Sequence, residues 1–411
     1  MAPFPLPLQA LLGKAGMYAV FLVIGFGFGY ALEISGFNDS PRLAAQFYFK
    51  DLRVLKVMFT AIVVAMVSIF AASSIGLLDY NLIWVNPTYL WPGILGGLIM
   101  GFGFIIGGFC PGTSLVAAAT LKIDGLIFVL GGLVGVTLFG ETEKLFDLFY
   151  NGSYYGRVTL MDFLGLPTGV VVLLITLMAL FMFWCGEQLE KIFGGRDPKK
   201  APRVRYLGAG ALVLASIALI FASQPTTADR WARLEATKGQ ELAARQYHIH
   251  PGELLETMLD HQINLIMLDV RSEADYNIFH ILDSQHVLPE EISDRIDEFH
   301  AEPANTVFVT ISNDETTAAE VWKVMVAESV PNVYILEGGI NYWLDTFATE
   351  FEGEYCAGKK AGGDEELGYG FTAALGAGCP AAYPKPEDYQ LDYTPKIKLE
   401  MKRGPTSKGC G

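Results

Sequence analysis

Six long apolar segments constrain the fold of this chain more than any other feature of its sequence. A helix that crosses a lipid bilayer needs about 20 mostly apolar residues. Between Val57 and Gly140 only Asp79, Lys122 and Asp124 are charged. The six segments lie at roughly 14–35, 54–77, 91–108, 122–140, 167–186 and 206–223. The sequence therefore predicts a polytopic α-helical membrane domain over residues 1–223, with the lipid bilayer as its surroundings.

The charged residues are concentrated after the last apolar segment. The chain carries a net charge of −15, and residues 225–411 are rich in Asp, Glu and Lys. An acidic soluble region would repel phosphate backbones, so nucleic acid is not an expected partner.

The basic residues of the short loops predict the orientation of the spans, because Lys and Arg are enriched in cytoplasmic loops. The loop after the fifth span carries Lys191, Arg196, Lys199, Lys200, Arg203 and Arg205. The loop between the first two spans also carries three basic residues, whereas residues 78–91 carry none. Six alternating spans then place both termini outside the cytoplasm. We expect an inner-membrane protein with its soluble region on the periplasmic or extracellular side.

A short motif occurs twice in the membrane domain, 72 residues apart. Gly36-Phe37-Asn38 precedes Leu43-Ala44-Ala45, and Gly108-Phe109-Cys110 precedes Leu115-Val116-Ala117. Repeats with interrupted helices at matching positions are typical of transporters. The pattern predicts that spans one and two recur as spans three and four in the same orientation.

The second copy predicts a helix break followed by a short, re-entrant helix. Pro111 suits the first turn of a helix, and the N-terminus of that helix would attract an anion. Cys110 lies at its mouth, and nearby hydroxyls add donors. The candidate substrate-binding residues are Cys110, Gly108, Pro111, Gly112, Thr113, Ser114 and, in the first copy, Asn38 and Ser40.

Each of these assignments has a structural alternative. Cys110 could be a buried structural cysteine beside a glycine–proline kink. Asn38, Asp39 and Ser40 could equally cap a cytoplasmic helix. Glu33 lies near the end of the first span. If its carboxylate lies inside the membrane it is a functional candidate, and if it lies at the interface it is an ordinary surface charge.

The membrane region resembles the YeeE/YedE family of sulfur-compound transporters over about residues 13–223. The resemblance is carried by residues 108–113 and 122–126, and by residues 35–37 and 47–53. It implies transport of a thiosulfate-like anion, passed between cysteines through S–H contacts in a pseudo-symmetric pore. Only Cys110 matches such a cysteine, because Asn38 stands at the repeat-related position. The membrane part is also shorter than in full transporters, so a homo-oligomer or a partner protein would complete the pore.

The soluble region alternates strands with helices, which favours a parallel α/β sheet. Strands are predicted at 265–271, 306–311 and 332–336, with helices around 290–300 and 315–328. The region resembles a rhodanese domain over about residues 250–348. The matching residues are Asp269-Val270-Arg271, Tyr276, His280-Ile281, Glu337-Gly338-Gly339-Ile340 and Trp343. We therefore divide the soluble part into a linker (224–249), a rhodanese-like domain (250–350) and a C-terminal extension (351–411).

The rhodanese resemblance implies a nucleophilic Cys after the strand at 306–311, in a loop of N–H groups that cradles a persulfide. That position holds Ser312, and the loop is Ser312-Asn313-Asp314-Glu315-Thr316-Thr317. A hydroxyl is a far poorer sulfur nucleophile than a thiolate, and two carboxylates would repel thiosulfate. We expect no sulfurtransferase catalysis at this loop.

The C-terminal extension contains the remaining candidate thiols. Cys356 and Cys379 could form a disulfide outside the cytoplasm, although the sequence does not fix the pairing. Cys410 could accept sulfane sulfur or bind a partner thiol. No metal or cofactor is expected, since His248 and His250 make a weak metal signal.

Three functions remain open from the sequence. The first is transport of a small sulfur anion through a pore at Cys110. The second is a membrane anchor of a larger complex, with the rhodanese-like domain as docking module. The third is a membrane-bound sulfurtransferase that uses Cys379 or Cys410.

Overall fold

The chain folds into two compact units. One is formed by residues 2–80 and 85–224, and the other mainly by residues 225–411. A computed structural model describes residues 3–83, 85–195, 204–348, 356–360, 365–389 and 391–399. Four of the basic residues used to orient the spans, at 196, 199, 200 and 203, lie outside these ranges.

The first unit contains six helical stretches that are long and apolar enough to cross a membrane. They are α1 (Leu8–Ile34), α3 (Arg53–Ser74), α4 (Leu90–Gly107) running on into α5 (Pro111–Ala119), α6 (Ile123–Tyr150), α8 (Thr168–Phe193) and α9 (Val204–Phe221). Two shorter helices are α2 (Ser40–Ala45) and α7 (Leu160–Leu164). The prediction of six apolar spans is confirmed. Helix α6 continues ten residues beyond the predicted end at 140, because residues 141–150 contain no glycine or proline to end it.

Helices α3, α8 and α9 pack around a common apolar cluster. Its buried members are Val63, Val67, Phe70, Val172, Ala179 and Leu219. Within it, the buried hydroxyls of Thr176 on α8 and Ser216 on α9 are 3.0 Å apart and share a hydrogen bond. A hydroxyl in an apolar bundle costs free energy unless it is paired, so this contact fixes which faces of α8 and α9 meet.

The segment that the sequence assigns to a linker is folded. It forms α10 (Thr227–Leu234), a π-helical turn (Glu235–Gly239) and α11 (Gln240–Ala243). Trp231 on α10 lies edge-on to Trp322, with ring centroids 6.1 Å apart, and Tyr247 lies 4.7 Å from the same ring. The aromatic contacts attach this segment to the soluble unit.

The soluble unit is built on a five-stranded parallel sheet in the order β1-β5-β4-β2-β3. The strands are β1 (His248–Ile249), β2 (Asn264–Asp269), β3 (Gln285–His286), β4 (Thr306–Ile311) and β5 (Val333–Leu336). The helices are α12 (Pro251–Leu259), α13 (Glu273–Ile278), α14 (Ile292–Ala301), α15 (Thr316–Ala327) and α16 (Gly339–Phe347). The predicted α/β class is confirmed.

Both faces of the sheet are covered, which explains the continuous apolar strand β4. All six of its residues are buried, as expected for a parallel strand between two helical layers. One layer contributes Trp322 and the other Trp343, and each of these side chains is fully buried. The C-terminal extension adds an antiparallel hairpin, β6 (Cys356–Lys359) and β7 (Tyr369–Phe371).

Candidate functional site

The helix break predicted in the second motif lies between α4 and α5. Gly108 ends α4 with a left-handed φ of 72°, a conformation that favours glycine. Cys110 then adopts extended backbone angles as the N-cap, and Pro111 is the first residue of α5. Helix α5 has nine residues, about 13 Å at 1.5 Å per residue, which is too short to span a bilayer.

The sulfur of Cys110 accepts hydrogen bonds at the N-terminus of α5. The Thr113 N–H lies 3.4 Å from Sγ, and the Thr113 hydroxyl lies 3.3 Å from it. In return, the Cys110 N–H donates to Thr113 Oγ1 at 2.9 Å. The reciprocal arrangement is a capping box in which a thiol takes the place of the usual hydroxyl. It orients the sulfur at the positive end of the helix dipole.

The other predicted residues of this motif have structural contacts as well. Thr113 and Ser114 are buried, and the Ser114 hydroxyl donates to Pro111 O at 2.8 Å. That hydroxyl is therefore used within the helix in this conformation. Cys110 itself is only partly buried, in contrast to Thr113 and Ser114.

The first motif has the same order of features with one extra residue. Gly36 has a left-handed φ of 79°, Asp39 is the extended N-cap of α2, and Pro41 lies in its first turn. Asn38, which matches Cys110 by spacing, instead donates from Nδ2 to Glu33 Oε1 at 2.7 Å. By position in the helix the counterpart of Cys110 is Asp39, whose carboxylate pairs with Arg42 at 3.2 Å.

The two motifs lie against each other. Phe37 and Phe109 are buried in one apolar cluster with Leu43, Val54 and Ala117. A Cβ at Gly108 would collide with Ser40 Oγ, so glycine is required for the approach as well as for the backbone angle. The structure thus brings Ser40 next to the break that positions Cys110 and Thr113.

The sequence reasoning missed a buried charged pair in the same unit. Glu190 on α8 accepts the Leu52 N–H at 2.6 Å and lies 2.6 Å from Lys56 Nζ on α3. Its side chain is 9% exposed. The available signal was a carboxylate and a lysine within two apolar spans, where a charge is expected to be paired. The pair fastens the start of α3, directly after the first motif, to the α8 helix.

The degenerate loop of the soluble unit lies between β4 and α15. Ser312 is buried, and its Oγ accepts the Ala318 N–H at 3.3 Å. Asn313 is also buried, and its Oδ1 accepts from Arg271 at 3.2 Å. Arg271 in turn is paired with the buried Asp269 at 2.6 Å. Ser312, which the sequence assigns to the nucleophile position, has a buried hydroxyl that accepts a backbone N–H, and the assignment of that position stays a prediction.

A charged cluster flanks this loop at the carboxyl ends of β1 and β5. Glu315 accepts the Gly338 N–H at 2.6 Å and pairs with Arg245, whose guanidinium also lies 3.2 Å from Glu337. Burial raises the pKa of Glu315, but the hydrogen bonds from Arg245 and Gly338 outweigh it and lower that pKa below its usual 4.5. The carboxylate is therefore held in its charged form inside the loop.

His248 lies in β1, and His250 is the N-cap of α12. Burial lowers the pKa of His248 below its usual 6.5, against the attraction of Glu315, which lies 3.5 Å away. His250 accepts the Gly252 N–H at 3.0 Å and lies 3.0 Å from the Tyr342 hydroxyl. Both rings thus serve the packing of the sheet edge.

The C-terminal cysteines are only partly described. Cys379 is buried, and Cys356 begins β6, with its side chain outside the described part of the structure. Cys410 also lies outside the described residues. The Cys356–Cys379 disulfide stays a prediction.

The comparisons with known proteins match a family to each of two parts of the chain. A family described as sulphur transport matches residues 42–247, and the rhodanese-like domain family matches residues 251–346. The probable transporter YedE of Escherichia coli (strain K12) is 25% identical over 200 residues, which is 47% of this chain and 47% of that protein. The probable transporter YedE of Salmonella typhimurium is 27% identical over 171 residues, or 40% of each chain.

The matched region spans about half the length of these curated relatives, and no solved structure matches the chain. The sulphur transport family covers half of the chain, and the six apolar helices identify a multi-pass membrane protein. The chain therefore belongs to the sulphur transport family, and it carries a rhodanese-like domain after its membrane-spanning helices.

Proposed function

We propose that the membrane unit transports a small sulfur-containing anion of the thiosulfate type past Cys110. The observation that carries this proposal is the thiol at the N-terminus of α5, beside the first motif. A neutral S–H can donate a hydrogen bond to an anionic oxygen or sulfur. The positive end of a helix favours the same charge.

The two hydrogen bonds to Sγ support a transport role because they fix the direction of a thiol that is only partly buried. A site that passes an anion onward must bind it weakly and in a defined geometry. The Ser40 hydroxyl, which belongs to the first motif, lies next to Gly108 of the second motif. We include Ser40, Thr113, Gly112 and Asn38 in the site as secondary contacts.

Uptake of isotopically labelled thiosulfate by cells that lack their own transporter tests the proposal. Replacement of Cys110 with alanine should lower uptake by about ten- to a hundredfold, the effect of about 1.4–2.8 kcal/mol. Cys185→Ala is the matched control, since Cys185 is another partly buried cysteine of the same unit, on α8. Equal uptake by the Cys110 variant and the parent, at equal membrane abundance, would contradict the role of Cys110.

We also propose that the soluble unit lies on the periplasmic side of the inner membrane. The basic loops after α1 and α8 support this orientation, and an even number of spans returns the chain to the side from which it started. A periplasm-dependent reporter fused after residue 399 should be active, and a cytoplasm-dependent reporter at the same point should not. The reverse result would overturn the orientation.

A second candidate function is assembly, with the rhodanese-like domain as a docking module. It is supported by the burial of Ser312 and its hydrogen bond from the Ala318 N–H, together with the expectation from the sequence that Ser312 replaces the nucleophile of a rhodanese. Assembly predicts a stoichiometric partner, or a second copy of the chain, after gentle solubilisation. It also predicts no persulfide on Cys379 or Cys410 after thiosulfate treatment, as read by mass spectrometry. A persulfide on either residue would favour a sulfurtransferase instead.

A further inference from the structure

Within the part of the C-terminal extension that the structure describes, Glu365 hydrogen-bonds to the loop at residues 312–317. Asn313 Nδ2 donates to the Glu365 carbonyl at 2.8 Å. The Glu365 N–H donates to Asp314 Oδ2 at 3.2 Å, and Thr317 Oγ1 donates to Glu365 Oε1 at 3.0 Å. Three side chains of the loop thus engage the carbonyl, the amide and the carboxylate of the same residue.

The backbone of Glu365 is strained, which indicates that these contacts hold it in place. Its φ is 66°, in the left-handed region that residues other than glycine and asparagine rarely adopt. Such a residue persists where its surroundings over-determine its conformation. Here the loop supplies that determination, because it fixes the groups on both sides of the strained Cα.

The contact continues along the extension beyond Glu365. Asn341 on α16 donates to the Glu366 carbonyl at 3.0 Å and accepts the Gly368 N–H at 2.7 Å. The Asn341 N–H itself donates to the Asn313 carbonyl at 3.0 Å. Two asparagine side chains in direct backbone contact therefore hold residues 365–368 from one side. Phe371 on β7 then stacks on the buried Phe279, with ring centroids 5.5 Å apart.

The polarity of the loop suits a peptide better than a sulfur anion. Asn313 and Thr317 supply donors, and Asp314 supplies an acceptor for an N–H. The Asp314 carboxylate would repel an anion, whereas it accepts a hydrogen bond from a peptide N–H. With a hydroxyl at Ser312 and an amide at Asn313, the loop offers groups that bind a peptide backbone.

We propose that this loop is a peptide-binding site whose ligand is the chain's own segment 365–368. The loop holds the C-terminal extension over the place where a rhodanese would bind its sulfur donor. The extension, rather than a small molecule, is the ligand of the rhodanese-like domain. This inference is independent of transport by the membrane unit.

Hydrogen–deuterium exchange of the full-length chain in detergent tests the proposal. The readout is the β7 amides at Gly370 and Phe371, since the loop and Asn341 contact the extension upstream of them, at residues 365–368. Asn341→Ala removes two hydrogen bonds to the extension, and Asn313→Ala removes one together with its contacts to Asp275 and Arg271. Each variant should speed exchange there by about tenfold or more. Thr317→Val, which deletes one hydroxyl near the domain surface, should act in the same direction with a smaller effect.

Asn305→Ala is the matched control, because Asn305 donates to the Gln262 carbonyl at the opposite end of β4. It should leave exchange at β7 unchanged. Slow exchange of the amides in β2 and β4 shows that a variant is folded. If Asn313→Ala loses this protection, the test of the proposal rests on Asn341→Ala and Thr317→Val. Unchanged exchange at β7 in the folded variants would overturn the proposal, because the extension would then be held by its own apolar packing.

Discussion

Replacement of Thr113 with valine should separate the orientation of the Cys110 sulfur from its presence. Valine keeps the shape and burial of threonine but deletes Oγ1, which accepts the Cys110 N–H at 2.9 Å and lies 3.3 Å from Sγ. Each hydrogen bond contributes about 0.5–1.5 kcal/mol net, and loss of an N-cap partner costs about 0.5–2 kcal/mol. Because Cys110 is partly exposed, water replaces part of the loss, and we expect about 1–2 kcal/mol. At low substrate concentration this corresponds to a roughly five- to thirtyfold fall in uptake.

The assay is the initial rate of labelled thiosulfate uptake, normalised to protein in the membrane. Thr120→Val is the control, because it makes the same chemical change at the other end of α5, where the hydroxyl donates to the carbonyls of Val116 and Ala117. If Cys110→Ala lowers uptake but Thr113→Val takes up thiosulfate at the parental rate, the orientation argument is refuted. An equal fall in both threonine variants would attribute the loss to the helix as a whole.

The remaining predictions concern stability. Glu190→Ala leaves Lys56 Nζ and the Leu52 N–H without the carboxylate that lies 2.6 Å from each. The thermal unfolding midpoint in detergent should therefore fall by several degrees, corresponding to about 2–4 kcal/mol. Lys191→Ala is the control, because Lys191 is exposed and its replacement should shift the midpoint little. Glu253→Ala removes the carboxylate that accepts the N–H groups of Lys396 and Ile397 at 2.6 and 2.7 Å, and proteolysis within 391–399 should become faster than in the parent chain. Folding lowers the pKa of His248 below its usual 6.5. As the pH falls below 6.5, His248 therefore takes up a proton more readily in the unfolded chain than in the folded chain. The free energy of unfolding of the soluble unit should therefore be full above that pH and fall on acidification through it. His248→Gln should flatten this dependence, and a gain of stability on acidification would contradict it.

The parts of the structure that depend on local composition could be predicted from the sequence. Apolar segments of spanning length correspond to the six long helices, and the strand at 306–311 coincides with β4. The break after Gly107 could also be predicted, because glycine and proline act on the backbone of their own residue and its neighbours.

The parts that depend on contacts between distant residues could not be predicted. One extra residue in the first motif makes Asp39 the helix cap, and spacing alone assigned that place to Asn38. Glu190 and Lys56 are 134 residues apart in sequence. Glu365 meets the loop only because the extension returns to the sheet. No periodic pattern encodes any of these pairings.

The depth of the helix break has an electrical consequence. Helix α4 has 18 residues, about 27 Å at 1.5 Å per residue, close to the roughly 30 Å hydrocarbon thickness of a bilayer. On the transport path proposed above, with α4 along the membrane normal, a dianion that reaches Cys110 from the side on which α4 begins would cross most of the membrane, and with it most of the transmembrane voltage. That displacement would amount to about 4–5 kcal/mol for two charges at 100 mV. The proposal then requires that occupancy of the thiol from that side weakens as the opposite compartment becomes more negative, and that the uptake rate depends on the membrane potential.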